Sequence, residues 1–461
     1  MPIDDQSGAG GGAINRWQGE EQMQKTGFVP QSGAQETTRQ QRRAVIASLV
    51  GTTIEWYDFF IYGLAAATVF GPLYFPSDDT FAATLLSFTT FFLGFAARPL
   101  GALIFGHFGD RLGRKSTLMA TLVLAGGSTV ATGFLPTYAS IGIWAPILLS
   151  VLRVLQGIGV GGEWGGAVAV ATEWSNTGKR RGLLASGPQF GVPVGMLLAV
   201  SVLAMMSHFG PPEWFNSIGW RIPFIIGALL IFVGIYIRLG LIETPVFRNM
   251  QEKETIKQAP LVTVFRDHWK EVVLSCLIRT GQQAPYFLFT AFILTYGVTQ
   301  LHLERSFLFN SVLGASALSL FTTPFFGYLS DRVGRKRLYI IGAVVMGLFA
   351  FPYFWMLDSG VTPLIVAAIL ISLPVHDMQY GPQAAFIAEN FPPSVRYSGS
   401  SLGYQLAAII SGGPAPLIAT YLAHDYGGST AIAAYIVVTA AVSLVAAVLL
   451  RDRSKDDYEN D

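Results

Sequence analysis

Stretches of about 20 or more apolar residues, broken by short polar loops, recur twelve times along the 461-residue chain. They fall at 42–71, 80–106, 116–136, 141–174, 182–208 and 220–240, then at 271–299, 305–328, 338–357, 361–390, 399–424 and 430–450. A helix needs about 20 apolar residues to cross a bilayer, so the pattern predicts twelve membrane-spanning helices. Several stretches run longer, which implies tilt or ends that reach past the headgroups. A polar stretch over 241–270 separates two groups of six. Residues 1–41 are rich in Gly, Gln, Ser and Thr and hold no apolar core, so they read as a disordered tail rather than a cleavable signal. Residues 451–461 form a second polar tail. The expected fold class is an all-α membrane protein, with one six-helix bundle over 42–240 and a second over 271–450.

Composition agrees: 51% of residues are hydrophobic and only 13% charged, against about 25% charged in soluble domains. The single cysteine, Cys276, has no intrachain partner and reads as a small buried hydrophobe. Net charge is near zero, so placement carries the information. About 25 of the 30 lysines and arginines lie in or next to the tails and the loops after even-numbered spans. Only Arg221 and Arg305 flank the opposite side. The positive-inside rule then places both termini and the central loop in the cytoplasm.

The two groups repeat each other. Residues 106–115 read GHFGDRLGRK and residues 327–336 read GYLSDRVGRK, identical at six of ten positions, each after the second span of its group. Such a pair implies duplication: two pseudo-symmetric six-helix halves with a site between them near the membrane midplane.

Charges inside the spans are the candidate chemistry, because an ionised side chain at the bilayer centre costs about 2.5–3.5 kcal/mol and is tolerated mainly where it faces an interior. Glu55 and Asp58 lie three apart and are expected to share a face with Thr52 and Tyr62. Two carboxyls this close do not ionise independently, which suits a proton carrier. Arg98 sits in the second span, and Arg153 and Glu163 in the fourth. An arginine in a dry cavity offers fixed charge and a two-pronged carboxylate contact, and Arg153 is the first candidate for it. In the second half Arg279, Gln283 and Tyr286 follow i, i+4, i+7 spacing with Gln282 beside them, and His376, Tyr380 and Gln383 repeat that spacing with Asp377 adjacent. Pro374 and Gly381–Pro382 interrupt the latter span, as where a helix bends around a site. Gln189, Tyr404 and Gln405 add further hydrogen-bonding groups. The plainer alternatives are interhelical hydrogen bonds for the glutamines and tyrosines, and structural ion pairs such as Arg98 with Glu55 or Asp58. His376 could titrate alone.

GIGVGG at 157–162 matches the spacing of a dinucleotide fingerprint, but it lies within an apolar helix with no preceding strand. Its glycines form the ladders Gly157–Gly161–Gly165 and Gly162–Gly166, which suit close helix packing. No P-loop, zinc motif or nucleophile elbow is present, so no enzymatic activity, cofactor or metal is expected.

The duplicated loops resemble the signature between the second and third helices of the major facilitator superfamily. Together GTTIEWYDFFIYG, ARPLGALIFGHFGDRLGRKSTL, RVLQGIGVGGEWGGAV and ENFPPSVRYSGSSLGYQLA resemble the metabolite:proton symporter family within it, over nearly all of residues 42–450. The resemblance implies a bacterial inner-membrane symporter working by alternating access. Its partners would be protons and a small organic anion, a mono- or dicarboxylate, with no nucleic acid and a monomeric state. Family members that move zwitterionic osmolytes such as betaine or proline supply one alternative, and a proton-driven exporter another. The osmosensing members carry a long helical tail that is not seen after Leu450. The resemblance further implies a cytoplasmic latch of Gly106, Asp110, Arg111, Gly113 and Arg114, with Asp331, Arg332 and Arg335 as counterparts. Proton coupling is expected at Asp58, Glu55 and Glu163. Substrate contacts are expected from Arg153, Arg98, Arg279, Gln283, Tyr286, His376, Asp377, Tyr380, Gln383, Gln189, Tyr404 and Gln405.

Overall fold

A computed structural model describes residues 31–112, 114–164, 181–209, 211–239, 260–392, 395–426 and 428–453. The chain divides into two units at residue 44, and Val45–Asp461 contains the packed helices considered below. The expectations for residues 1–30, for the end of the fourth span beyond 164, for most of the central loop and for residues 454–461 lie outside the described residues.

Among the described residues twelve main helices organise the chain. In the first half α1 is Gln31–Thr68, α2 Thr80–Leu112, α3 Arg114–Phe134, α4 Trp144–Gly161, α5 Arg181–Phe209 and α6 Ile222–Leu239. In the second half α7 starts at Trp269–Phe287 and α8 is Arg305–Val333. Next come α9 Arg335–Asp358, α10 Thr362–Ala388, α11 beginning as Arg396–Ala407, and α12 Ser429–Leu449. The expected tail ended at 41, yet α1 begins at Gln31; the stretch QSGAQETTRQQRR contains several good helix formers and can extend a helix beyond its apolar part. Among the described residues nine helices are long and apolar enough to cross a membrane. α1, α3 and α7 are not in that set: α3 offers only the shorter apolar stretch Met119–Phe134, while α1 carries Glu55 and Asp58, and α7 carries Arg279, Gln282 and Gln283. Polar interior residues lower the hydropathy of α1 and α7, whereas α2, α4 and α10 stay apolar enough despite Arg98, Arg153 and Asp377.

Two helices change pitch near the centre. α7 passes through a π-helical turn at Leu288–Phe292 and continues as Ile293–Thr299. α11 passes through another at Ala408–Gly412 and resumes as Ala415–Asp425. Prolines at 285 and 414 adjoin these turns, and Pro374 and Pro382 lie inside α10. Each removes a backbone donor and loosens the helical ladder.

Close backbone contact holds the first half together. A β-carbon at Gly157 or Gly161 of α4 would overlap the carbonyl oxygens of Gly94 or Arg98 on α2, and one at Gly159 would meet the Ala125 nitrogen of α3 at 2.7 Å. The fingerprint-like glycines are therefore packing surfaces; Gly165 and Gly166 of the expected ladders lie outside the described residues. Outward faces present large apolar side chains such as Phe232, Phe321 and Trp355, as a hydrocarbon environment requires.

Candidate functional site

Every proposed proton- or substrate-handling side chain is buried, none more than 5% exposed. They form two groups joined across the middle of the protein.

The first group gathers around Phe59 of α1. The Arg153 guanidinium carbon lies 4.4 Å from the centre of the Phe59 ring and 4.1 Å from that of Tyr62. The Arg98 guanidinium lies 4.5 Å from the same Phe59 ring and 4.7 Å from Phe95. One aromatic ring thus serves two cations, each gaining about 0.5–2 kcal/mol from such contacts. Arg153 donates through Nη1 to Gln156 Oε1, and Gln156 Nε2 donates to Thr129 Oγ1 at 2.8 Å. Nε and Nη2 of Arg153, and all three guanidinium nitrogens of Arg98, have no hydrogen-bond acceptor among the described residues.

The two acids of α1 part company. Asp58 packs against glycines of α3 and α6: a β-carbon at Gly126 or Gly227 would lie 3.6 or 3.3 Å from its oxygens. It lies beside Thr129 and within electrostatic range of Glu163 and Arg153. Glu55 instead interacts electrostatically with Arg98 and with Tyr404 of α11. The shared face expected for Glu55, Asp58, Thr52 and Tyr62 is therefore a fan: Thr52 meets Gly191 of α5, and Tyr62 donates to Thr90 of α2 at 2.9 Å. Residues three apart are rotated by about 60° on a helix, enough for different neighbours in a tight bundle.

The second group is lined mostly by uncharged polar side chains. Arg279 of α7 stacks on the Tyr404 ring, 3.1 Å from its centre, and donates to the Tyr404 carbonyl oxygen. The other face of Tyr404 stacks on Trp164, just beyond α4, with centroids 3.7 Å apart. Arg279 also lies within electrostatic range of Arg98, which connects the groups. Gln283 Oε1 accepts from Ser411 at 3.5 Å, while its Nε2 and the Tyr286 hydroxyl have no partner among the described residues. The Tyr380 and Tyr404 hydroxyls face each other. Gln189 Nε2 reaches the Tyr380 carbonyl at 3.3 Å, and Gln405 Nε2 reaches that of Gly161 at 3.4 Å. Asp377 accepts from Ser319 at 2.6 Å, from Thr322, and from His376 Nδ1 at 2.8 Å.

A third cluster lies where α8 ends. Asp331 accepts from the backbone N–H of Gly182 at 2.8 Å and of Leu183 at 3.1 Å, the first turn of α5 in the other half. Arg335 donates to Asp331 at 3.3 Å and pairs with Glu389. Arg332 stacks over Tyr328. Gly113 and the side chains of Asp110, Arg111 and Arg114, with the surroundings of Gly106, lie outside the described residues. At the other end Thr295 reaches the Ala67 carbonyl at 3.4 Å and Phe81 stacks on His424 at 4.0 Å. The halves therefore touch at both ends of the polar centre.

Sequence reading missed Gln156, Thr129, Trp164, Ser319, Thr322 and Glu389. Gln156 lies one turn from Arg153, and Ser319 and Thr322 lie one turn apart on α8, so helical spacing offered a signal for these three. Trp164 and Glu389 gave none beyond their place in the quoted motifs.

Twelve helices in two like halves around a buried, charge-bearing centre define a membrane carrier. The family model of the Major Facilitator Superfamily matches residues 48–408 and 309–461. The chain belongs to that superfamily, among its metabolite and osmolyte permeases, and is a multi-pass transporter rather than an enzyme. It is 39% identical over 415 residues to the inner membrane metabolite transport protein YhjE of Escherichia coli strain K12, covering 89% of this chain and 94% of that one. It is 37% identical over 418 residues to the shikimate transporter of the same strain, covering 90% and 95%. A solved structure of the E. coli xylose transporter XylE, partially occluded and inward-open, shares the fold with a TM-score of 0.71 at 18% identity, over 89% of this chain and 97% of that one.

Proposed function

We propose that this protein is a proton-coupled symporter that imports a small organic anion, a mono- or dicarboxylate, across a bacterial inner membrane by alternating access. One observation carries the reading: Arg98 and Arg153, both buried and each within 4.5 Å of the centre of the Phe59 ring, hold donors with no acceptor among the described residues, with Asp58 in electrostatic range of Arg153. A buried charged donor without a partner costs several kcal/mol, so the arrangement favours a bound anion. The similarity to a shikimate transporter supports a carboxylate.

The coupling follows from competition for one cation. Ionised Asp58 claims Arg153; protonated Asp58 releases it to a substrate carboxylate. Proton and anion then enter together, and the charge around Arg153 is the same loaded as empty. Each pH unit contributes about 1.4 kcal/mol per proton, and each uncompensated charge about 2.3 kcal/mol per 100 mV. Glu55 and Glu163 stand by as further carboxyls, and the glutamines and tyrosines of α7, α10 and α11 supply hydrogen bonds to the rest of the substrate.

Charge asymmetry orients the carrier, with both termini and the Asp331 cluster cytoplasmic. Asp331 on the start of α5 is then the cytoplasmic latch, an anion on the positive end of a helix, and the halves form the two domains that rock. Uptake into proteoliposomes with an imposed pH gradient tests this, using labelled shikimate, 2-oxoglutarate, citrate and betaine. Acid-outside accumulation of a carboxylate is expected. Accumulation of betaine alone would replace the anion with a zwitterion, and export on acidification would replace symport with antiport.

A further inference from the structure

His376 and Asp377 sit on the inner stretch of α10, 1% and 0% exposed, and the coupling scheme above does not use them. Their hydrogen bonds form a directed chain. Asp377 is an acceptor three times over, from Ser319 and Thr322 on α8 and from His376 Nδ1. That assigns the proton of the neutral imidazole to Nδ1 and leaves Nε2 with a free lone pair. Nε2 faces the side-chain amide nitrogen of Gln282 on α7, a donor. Gln282 Oε1 in turn accepts from Gln383 Nε2 at 3.2 Å, and Gln383 Nε2 reaches the Tyr339 hydroxyl at 3.3 Å. Tyr339 donates to the Ile278 carbonyl, which also accepts from Ser443. Gln383 Oε1 has no partner among the described residues.

We propose that His376 is a proton-binding site of the second half, separate from Asp58, and that Gln282 and Gln383 are a reversible hydrogen-bond chain reporting its occupancy. A proton on Nε2 turns that nitrogen from acceptor to donor. Gln282 must then rotate its amide to present Oε1, which sends its nitrogen toward Gln383. Gln383 rotates likewise, and its spare Oε1 becomes the acceptor. Tyr339 can follow by donating to Gln383, because Ser443 keeps the Ile278 carbonyl satisfied. The spare acceptor at Gln383 and the doubly served carbonyl at Ile278 make the reversed chain possible; a static packing role requires neither.

The groups facing the imidazole are few. α7 contributes Tyr286, whose ring centre is 4.8 Å away, and α10 contributes Asp377 and Tyr380, the latter at 5.0 Å. α8 offers only the hydroxyls of Ser319 and Thr322, and Phe60 of α1 packs on Tyr286. Arg279 lies one turn before Gln282 and is engaged with Tyr404; Lys270 stands in the first turn of α7, and Arg305 and Arg332 in the first and last turns of α8. Among the described residues Asp377 is the one carboxylate bonded to the ring, through Nδ1.

A place for this site in the cycle rests on the carrier reading, supplying a second proton for a substrate of two negative charges; its existence does not. The test therefore needs no substrate. Protein labelled with ¹⁵N in its six histidines and in glutamine side chains is placed in nanodiscs and followed by NMR from pH 5.5 to 8.5. His376→Gln and His376→Asn each identify the His376 signals by their loss, and Gln282→Leu and Gln383→Leu those of the amides. The expected result is a neutral Nδ1–H tautomer at high pH, conversion to imidazolium at low pH, and movement of both amide signals with the same midpoint. Asp377→Asn should turn the single neutral tautomer into a mixture. A ring that keeps one form over the whole range, or whose neutral form is Nε2–H, overturns the proposal; amide signals that stay still while the ring titrates overturn the chain. If His376 titrates as described in a protein that moves no substrate with protons, the carrier reading fails and this site stands.

Discussion

Replacing Asp331 with asparagine removes the charge from the contact between α8 and α5 while keeping its size. The carboxylate accepts two backbone hydrogen bonds, at 2.8 and 3.1 Å, and its side chain is only 8% exposed. Hydrogen bonds to charged groups contribute about 1.5–3 kcal/mol each. Asparagine keeps one acceptor and turns an N–H donor toward the other backbone N–H, so the closed contact should lose about 2–3 kcal/mol. In the open arrangement the two backbone contacts are absent, and the Arg335 contact, lying within the second half, is weakened alike in both arrangements. The equilibrium between closed and open should therefore shift by about 30–150-fold toward open. Spin labels on the exposed positions Ile46 of α1 and Val333 of α8 report that end of the molecule. Cys276→Ser first removes the single native thiol. Pulsed electron–electron distances in nanodiscs should change from one short population in the parent to a dominant longer one in Asp331→Asn. An unchanged distance distribution would refute the latch, and a shift equally produced by Arg332→Gln would mean that general charge, not the helix contact, holds this end.

Three other outcomes follow from the same geometry. Asp58→Asn should abolish concentrative uptake yet leave counterflow exchange of the same carboxylate, measured side by side in proteoliposomes. Arg153→Lys keeps the charge but loses the planar fork and its stacking on Phe59 and Tyr62, and should weaken substrate binding at least about tenfold by calorimetry. Gly161→Ala drives a methyl into the Arg98 carbonyl and should lower stability by more than about 1–3 kcal/mol, read as thermal unfolding in detergent, whereas Gly127→Ala, with nothing within 4 Å of the added carbon, should be neutral or slightly stabilising.

The helices were legible because each must hide its own backbone polarity in lipid, which forces long apolar runs and leaves charge to mark the loops. The repeated GDRLGRK and SDRVGRK loops carried the duplication. What the pattern could not carry was direction. Glu55 and Asp58 look like a pair along the chain, yet one turns to Arg98 and the other to Thr129, a difference decided by Gly126 and Gly227 on helices far away in sequence. Phe59 drew no expectation as one apolar residue among many, yet its ring lies within 4.5 Å of two guanidinium groups. The π-helical turns at Leu288–Phe292 and Ala408–Gly412 were equally hidden, since an inserted residue leaves no mark in hydropathy.

Simultaneous recording of proton and carboxylate movement is the most direct test of proton-coupled anion import. Proteoliposomes carrying the protein are suspended in weakly buffered medium with a pH-sensitive dye outside, and the labelled carboxylate is added without any imposed gradient. The medium should turn alkaline as label enters, and Asp58→Asn should eliminate the alkalinisation. Label entering with no change in external pH, or with acidification, would contradict it.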